Sequence, residues 1–124
     1  MDVRSFPVKE TSRCQDALMC FFDISGRELN LYRELLANGP LTASQMGDRI
    51  CKDRSTAYRA ATSLVGNGLA VKKKEIQEGG GIFHIYEAVP PSDVKNMLRE
   101  RIKSWYRDMT EAVERTEEEL LGEA

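Results

Sequence analysis

The chain has 124 residues, of which 41% are hydrophobic and 31% are charged, and its formal net charge is −2. This length supports one domain with a modest core, and the composition is typical of a globular protein rather than a disordered or fibrous one. No apolar run reaches the roughly 18 residues of a membrane-spanning helix, and residues 1–10 lack the apolar core of a secretory signal. We therefore expect a cytoplasmic protein without a membrane partner.

The chain offers four soft metal ligands, three cysteines and one histidine: Cys14, Cys20, Cys51 and His84. Two interpretations compete, a zinc site and ordinary packing of reduced cysteines. Structural zinc usually shows tightly spaced ligand pairs such as CxxC, which the sequence lacks. Cys14 and Cys20 are six residues apart, so on a helix they point in different directions. We favour packing and expect no metal, no disulfide framework and no cofactor.

The capping-box pattern marks three helix starts, because in this pattern two side chains each satisfy a backbone N–H of the first turn. The pairs are Ser12 with Gln15, Ser25 with Glu28, and Thr42 with Gln45. The first three helices are each predicted to have an apolar face. In chain order these faces are Ala17, Leu18, Phe21 and Phe22; Leu29, Tyr32, Leu35 and Leu36; and Met46 with Ile50. The Asn-Gly-Pro sequence at 38–40 ends the second helix.

A fourth helix is predicted from Asp53, a residue that caps helix N-termini well. Its apolar positions share one face and are Ala57, Ala61, Leu64 and Val65. The opposite face is polar. The Gly-Asn-Gly sequence at 66–68 ends the helix, because glycine and asparagine accept the left-handed conformation that a C-cap requires.

Two strands follow, "LAVKKKEI" and the β-branched and aromatic "IFHIYEAV", joined by the glycine-rich "QEGGG". This pattern predicts a β-hairpin with a flexible tip. The prolines Pro90 and Pro91 close the domain, and Ser92 is predicted to cap a long polar helix that runs to about Leu121. We expect a domain over residues 1–91 and a dimerisation helix over 92–124.

Positive charge is concentrated between residues 49 and 74, although the chain as a whole is slightly acidic. This segment has seven basic residues and a single acidic one, Asp53. The basic residues are Arg49, Lys52, Arg54, Arg59, Lys72, Lys73 and Lys74. Such a patch attracts a polyanion whatever the net charge of the protein.

The order of helix, short helix, capped helix and basic hairpin predicts a mainly α fold with a small β-hairpin, the winged helix-turn-helix with flanking helices. In that fold the fourth helix lies in the major groove of DNA and the hairpin, or wing, contacts the backbone or the minor groove. The candidate DNA-binding residues are Thr42, Ser44, Lys52, Arg54, Ser55, Thr56, Tyr58, Arg59, Thr62, Lys72, Lys73 and Lys74. Arginine offers bidentate donors to guanine or phosphate, and short hydroxyl side chains at a helix N-terminus suit phosphate oxygens.

The stretch "GPLTASQMGDRICKDRSTAYRAATSLVGNGLAVKKK", with "YEAVPPSDV" after the wing, resembles the DNA-binding domain of archaeal TrmB-like transcriptional regulators, relatives of the MarR-type winged helices. The resemblance covers about residues 25–110 and implies sequence-specific binding to double-stranded DNA. Full-length regulators of this kind carry a large sugar-binding domain, which we expect this protein to lack. The resemblance is therefore to short, stand-alone members, in which flanking helices form a dimer, and the effector is unknown.

The long C-terminal helix has an apolar seam whose spacing alternates between three and four except at the C-terminal end, a pattern typical of helices that pair. The candidate dimer-interface residues are Leu98, Ile102, Trp105, Met109, Ala112 and Leu120. An isolated helix this polar is marginal in water, so we expect a homodimer with a two-fold axis.

Two alternatives remain open from the sequence. The lysines could be a solvated strand face, and the winged helix could be a protein–protein interaction module in a larger complex. An enzyme is not expected, because the chain has no GxSxG, P-loop or HExxH motif.

Overall fold

A computed structural model describes residues 14–122, which form six helices and one two-stranded antiparallel sheet. The helices are α1 (Cys14–Phe22), α2 (Gly26–Asn38), α3 (Ala43–Ile50), α4 (Arg54–Gly66), α5 (Pro91–Glu114) and α6 (Thr116–Leu120), and the strands are β1 (Ala70–Ile76) and β2 (Ile82–Ala88). This arrangement confirms the predicted fold class, a winged helix-turn-helix with flanking helices.

Two of the three predicted capping boxes are present. The Ser25 backbone N–H donates to Glu28 Oε2 at 3.0 Å at the start of α2. At the start of α3, the Thr42 N–H donates to Gln45 Oε1 at 2.9 Å, and the Gln45 N–H donates to Thr42 Oγ1 at 3.3 Å. The predicted box at Ser12 lies outside the described residues. Local side chains therefore set the first turns of α2 and α3.

The core forms where α2, α3 and α4 bury their apolar faces against one another and against the hairpin. Phe22, Leu35, Met46, Leu64 and Tyr86 are the large side chains at its centre, together with Leu31. The predicted position of Leu36 in the stripe of α2 was wrong, because Leu36 is 43% exposed. Leu31 is buried in its place, since α2 packs against partners on two sides and buries a wider arc than one stripe.

The turn between α3 and α4 holds the two helices at a fixed angle through a close backbone contact. A Cβ added to Gly47 would lie 2.8 Å from the carbonyl oxygen of Lys52, so only glycine fits there. Cys51 adopts the left-handed conformation with φ of +57°, and the Lys52 N–H donates to the Gly47 carbonyl at 2.9 Å. The Thr56 N–H donates to Asp53 Oδ1 at 2.8 Å, which confirms Asp53 as the cap of α4.

The hairpin is anchored to the helices at its base. Leu41 and Tyr86 exchange two backbone hydrogen bonds, of 3.0 and 2.8 Å, so the loop before α3 pairs with β2. The hydroxyl of Tyr32 donates to the Val89 carbonyl at 2.6 Å. The strand that carries the lysines therefore has a defined position relative to α4. At the end of α4 it is Gly68, with φ of +79°, that adopts the left-handed conformation.

Two details of the C-terminal helix differ from the prediction. The helix begins at Pro91, a residue preorganised for the first helical position, with Pro90 rather than Ser92 as its cap. It is interrupted at Arg115, after which α6 continues for five residues. The hydroxyl of Thr116, the first residue of α6, donates to the Ala112 carbonyl of α5 at 3.0 Å and links the two helices across the interruption.

The first helix packs on α5. The rings of Phe21 and Trp105 meet edge to face with centroids 6.1 Å apart. Arg101 donates through Nη1 to the Phe21 carbonyl at 2.9 Å, and its guanidinium lies 4.4 Å from the ring centre of Phe22. These contacts hold the beginning of α5 against the domain, while the part of α5 beyond them extends into solvent.

Candidate nucleic-acid interface

The outer face of α4 is a surface of exposed polar side chains on a fixed helix. The inner face is fully buried, at Ala57, Ala60, Ala61 and Leu64. The exposed residues on the outer face are Arg54, Ser55, Tyr58, Arg59 and Thr62. All five were predicted from the sequence as candidate DNA-binding residues. Because the small alanines bring α4 close to the core, these five side chains are presented by a rigid element.

Hydrogen bonds between neighbouring turns of α4 orient some of these side chains. Arg59 donates through Nη2 to Thr56 Oγ1 at 3.4 Å, and the hydroxyl of Thr62 donates to the Tyr58 carbonyl at 2.9 Å. Hydrogen bonds from the side chain and the backbone N–H of Thr56 hold the pKa of Asp53 below its usual value. The single acidic group of this patch is thereby committed to capping α4.

The wing has two different faces, because alternate residues of a strand point to opposite sides. Lys72 lies opposite Tyr86, and Lys74 lies opposite His84, so these four residues share one face. The Lys72 ammonium is 5.4 Å from the ring centre of Tyr58 and 5.8 Å from that of Tyr86. Lys72 and Lys74 therefore lie on the side of the wing that faces α4.

Lys73 lies on the other face of the wing. Its ammonium is 2.6 Å from Glu87 Oε2, and hydrogen bonding to this carboxylate, with its charge, raises the pKa of Lys73. Lys73 is thus paired within the chain and points away from α4. The three consecutive lysines therefore differ in position: Lys72 and Lys74 face α4, and Lys73 faces away from it.

A groove of about 210 Å³ runs between the beginnings of α3 and α4 and the second strand of the wing. Its polar lining comes from Thr42, Ser44, Arg54, Tyr58 and His84. Two helix N-termini meet along it, and helix N-termini favour anions through their free N–H groups and dipoles. The groove therefore brings together hydroxyl, guanidinium and imidazole groups suited to a phosphate backbone.

The remaining predicted residues lie near this surface, and three positions were missed. Lys52 is exposed in the turn before α4, and Thr56 is half-buried within the first turn of α4. From the sequence, His84 was considered only as a possible metal ligand, and no role was assigned to Tyr86 or Gly47. The Leu41 pairing that anchors Tyr86 depends on the tertiary fold.

The predicted dimer-interface residues lie along α5 and α6 with mixed exposure. Leu98, Trp105, Met109 and Ala112 are half-buried, Ile102 is 40% exposed, and Leu120 is exposed. Leu98 packs partly against the core, and Trp105 contacts α1. The outer parts of the seam are open to solvent in the single chain.

No group of three or more His, Cys, Asp or Glu side chains among residues 14–122 could hold a metal ion. No helix in the same range is long and apolar enough to cross a membrane.

A helix-turn-helix with an exposed cationic second helix and an anchored basic hairpin defines the winged-helix transcriptional regulators, and the comparisons identify the family. The family model described as the sugar-specific transcriptional regulator TrmB matches residues 18–92. The chain belongs to the TrmB family, and it is a DNA-binding transcriptional regulator of the winged-helix type.

Several archaeal proteins are similar to this chain in sequence or in fold. The uncharacterized protein MJ1503 of Methanocaldococcus jannaschii is 34% identical over 103 residues, which are 82% of this chain and 78% of MJ1503. A possible transcriptional regulator from Methanosarcina mazei has the same fold, with a TM-score of 0.74, 17% identity and coverage of 83% of this chain and 88% of that one. TrmBL2, described as an archaeal chromatin protein, gives a TM-score of 0.64 at 23% identity, covering 90% of this chain but 41% of TrmBL2.

Proposed function

We propose that this protein binds specific sites on double-stranded DNA as a homodimer, with α4 in the major groove and the wing on the adjacent backbone or minor groove. The observation that carries this proposal is the joint presentation of Arg54, Arg59, Lys72 and Lys74 around α4. These cations come from separate segments of the chain, and the fold brings them to one side. The DNA-binding mode named in the description of TrmBL2 belongs to that protein, and it supports the same class of ligand here.

Some of the candidate side chains would position the protein on the DNA backbone, and others would read the bases. Lys72, Lys74 and the hydroxyls of Thr42 and Ser44 suit phosphate oxygens, whose contacts fix the register without reading bases. Arg54 and Arg59 are exposed on α4 and can offer bidentate hydrogen bonds to guanine, a contact that discriminates by roughly 1–3 kcal/mol. Occupancy of the site would then block or assist transcription.

The length and exposure of α5 support the proposed dimer. Its 24 residues extend about 36 Å, longer than the small domain needs for its own packing. Ile102 is 40% exposed, Val113 is 68% exposed, and the apolar Leu120 lies beyond the end of α5. A second copy related by a two-fold axis would cover these side chains and would set two α4 helices about 34 Å apart, one turn of DNA.

One observation favours a second candidate function, a protein interaction module. Ile76 and Ile82 face each other across the tip of the wing and are 83% and 66% exposed. An apolar pair at an exposed tip suits a protein surface as well as a DNA groove. Salt separates the two candidates, because phosphate contacts release counterions and most protein contacts do not.

The experiment is a titration of the protein with labelled genomic duplex fragments over a range of salt concentrations. If a dimer neutralises about eight phosphates, log K should fall against log salt with a slope near −7. Arg54→Ala should weaken binding and relax the preference at one base position, while Lys74→Ala should weaken all sequences alike. Absence of binding to any fragment at low salt would refute the proposal and leave the interaction module.

A further inference from the structure

The C-terminal helices α5 and α6 have opposite charges at their two ends. Residues 91–107 contain five basic and two acidic side chains, whereas residues 108–122 contain six acidic and one basic. The basic residues of the first half are Lys95, Arg99, Arg101, Lys103 and Arg107, and the acidic residues of the second are Asp108, Glu111, Glu114, Glu117, Glu118 and Glu119. Two copies placed side by side in the same direction would set like charges against each other.

A groove on the basic half has the complementary chemistry. It has a volume of about 280 Å³, an apolar floor of Leu98 and Ile102, and a rim of Lys95, Arg99 and Lys103. Such a groove fits an acidic helix with an apolar stripe. The second half of the C-terminal region has these properties, because its exposed apolar residues are surrounded by glutamates.

We propose that two copies pair through α5 and α6 in antiparallel directions, so that the acidic half of each copy lies in the basic groove of its partner. This inference rests on the proposed dimer and specifies its orientation. We favour a second copy over an unrelated acidic protein in this groove, because the chain itself supplies an acidic helix with exposed apolar residues. An antiparallel pair is isologous, so each copy gives and receives the same contact.

The spacing of the apolar seam supports the same orientation. Met109 lies at its centre, with Trp105 four residues before it and Ala112 three residues after it. Ile102 and Thr116 are each seven residues from this centre. In an antiparallel pair centred on Met109, Ile102 therefore meets the smaller Thr116 of the partner, and the large Trp105 lies between Ala112 and Val113 of the partner. Pairing large with small side chains is how facing helices fill the space between them.

The interruption at Arg115 does not break this seam. The Thr116 hydroxyl donates to the Ala112 carbonyl at 3.0 Å, and the Arg115 N–H donates to the same carbonyl at 3.1 Å. These two bonds hold Thr116 one turn after Ala112, which is the position that the seam requires. The glutamates of α6 stay within reach of the partner's groove in the proposed pair.

Charge reversal of each half tests the inference in solution. One variant carries Lys95→Glu, Arg99→Glu and Lys103→Glu, and the other carries Glu114→Lys, Glu117→Lys and Glu118→Lys; all six side chains are exposed, so folding should be retained. Each variant alone should dimerise about 100-fold more weakly, because like charges across an interface are strongly unfavourable. An equimolar mixture should recover heterodimers, because both of its contacts pair opposite charges. One contact joins the unchanged acidic half of the first variant to the unchanged basic half of the second. The other joins the two charge-reversed halves. Sedimentation at micromolar concentration measures all three samples.

Cysteine cross-linking reads the orientation directly. In a background of Cys14→Ser, Cys20→Ala and Cys51→Ser, a mixture of separately tagged Ile102→Cys and Thr116→Cys chains should form the mixed disulfide. Met109→Cys should form a disulfide with itself and serves as the control for cross-linking at the seam.

The outcomes separate orientation from dimerisation. A dimeric protein in which Ile102→Cys cross-links to itself, with no mixed product, would overturn the antiparallel arrangement and leave the proposed dimer standing. A dimer unaffected by either charge reversal would overturn it as well. A wild-type protein that sediments as a monomer would refute both the dimer and its orientation.

Discussion

Neighbouring lysines on the wing should differ sharply in their contribution to DNA binding. Lys74 shares a face with His84 beside the groove, whereas Lys73 is on the opposite face with its ammonium 2.6 Å from Glu87. We therefore expect Lys74→Ala to weaken binding and Lys73→Ala to leave it nearly unchanged. The two substitutions remove the same atoms from adjacent positions of one exposed strand, so each controls for the other.

The magnitude follows from counterion release. A phosphate contact contributes about 0.9 to the salt slope, which at 0.1 M salt corresponds to roughly eightfold in affinity, or about 60-fold for the two copies of a dimer. Lys74→Ala should accordingly reduce the slope by about 1.8 and Lys73→Ala by close to zero. Fluorescence anisotropy with one labelled duplex at several salt concentrations measures both values. Equal losses for Lys73→Ala and Lys74→Ala would refute the assignment of the two wing faces.

Three further predictions test the scaffold and the interface. Gly47→Ala should lower the free energy of unfolding by about 1–3 kcal/mol, because its Cβ would meet the Lys52 carbonyl oxygen at 2.8 Å, and an unchanged denaturation midpoint would contradict this. The lowered pKa of Asp53 means that its carboxylate stabilises the fold above the unfolded-state pKa and that this contribution is lost as pH falls through the folded-state pKa. Asp53→Asn should therefore show a flatter loss of stability in acid, measured by thermal melts from neutral pH to pH 3, and parallel pH profiles would count against it. Ile102→Glu should sediment as a monomer and lose specific DNA binding, whereas Arg54→Ala should stay dimeric. A dimeric Ile102→Glu variant would show that this part of the seam is not in the dimer interface.

Local signals in the sequence were enough to predict most of the fold. The caps at Ser25, Thr42 and Asp53 depend on residues within three positions, so their chemistry can be read directly. The buried face of α4 and the hairpin follow from apolar periodicity and from the glycine-rich tip. The same periodicity places the candidate DNA-binding residues on the exposed face of α4.

Features that depend on tertiary contacts could not be predicted in the same way. Strand alternation separates Lys73 from its neighbours, but the side that faces α4 is decided by the pairing of Leu41 with Tyr86. The burial of Leu31 instead of Leu36 depends on how many elements surround α2. The role of Gly47 arises from a close approach across the turn, which leaves no periodic pattern in the sequence.

Trp105 has a contact within the chain that its position on the seam did not indicate. Its place on the seam of α5 predicted an interface anchor. The structure shows that one edge of it packs on Phe21 of the same chain, 6.1 Å between ring centres. Substitution of Trp105 would therefore disturb α1 as well as a dimer, and Ile102, which is 40% exposed, is the cleaner position for testing the interface.

The central claim is that a dimer places two α4 helices in successive major grooves on one side of duplex DNA. Protection of guanine N7 from methylation tests it most directly, on duplexes selected by the protein from a random pool. The account predicts two protected clusters whose centres are about 10 base pairs apart, with Arg54→Ala losing protection within each cluster. A single protected cluster, or binding without any major-groove protection, would contradict it.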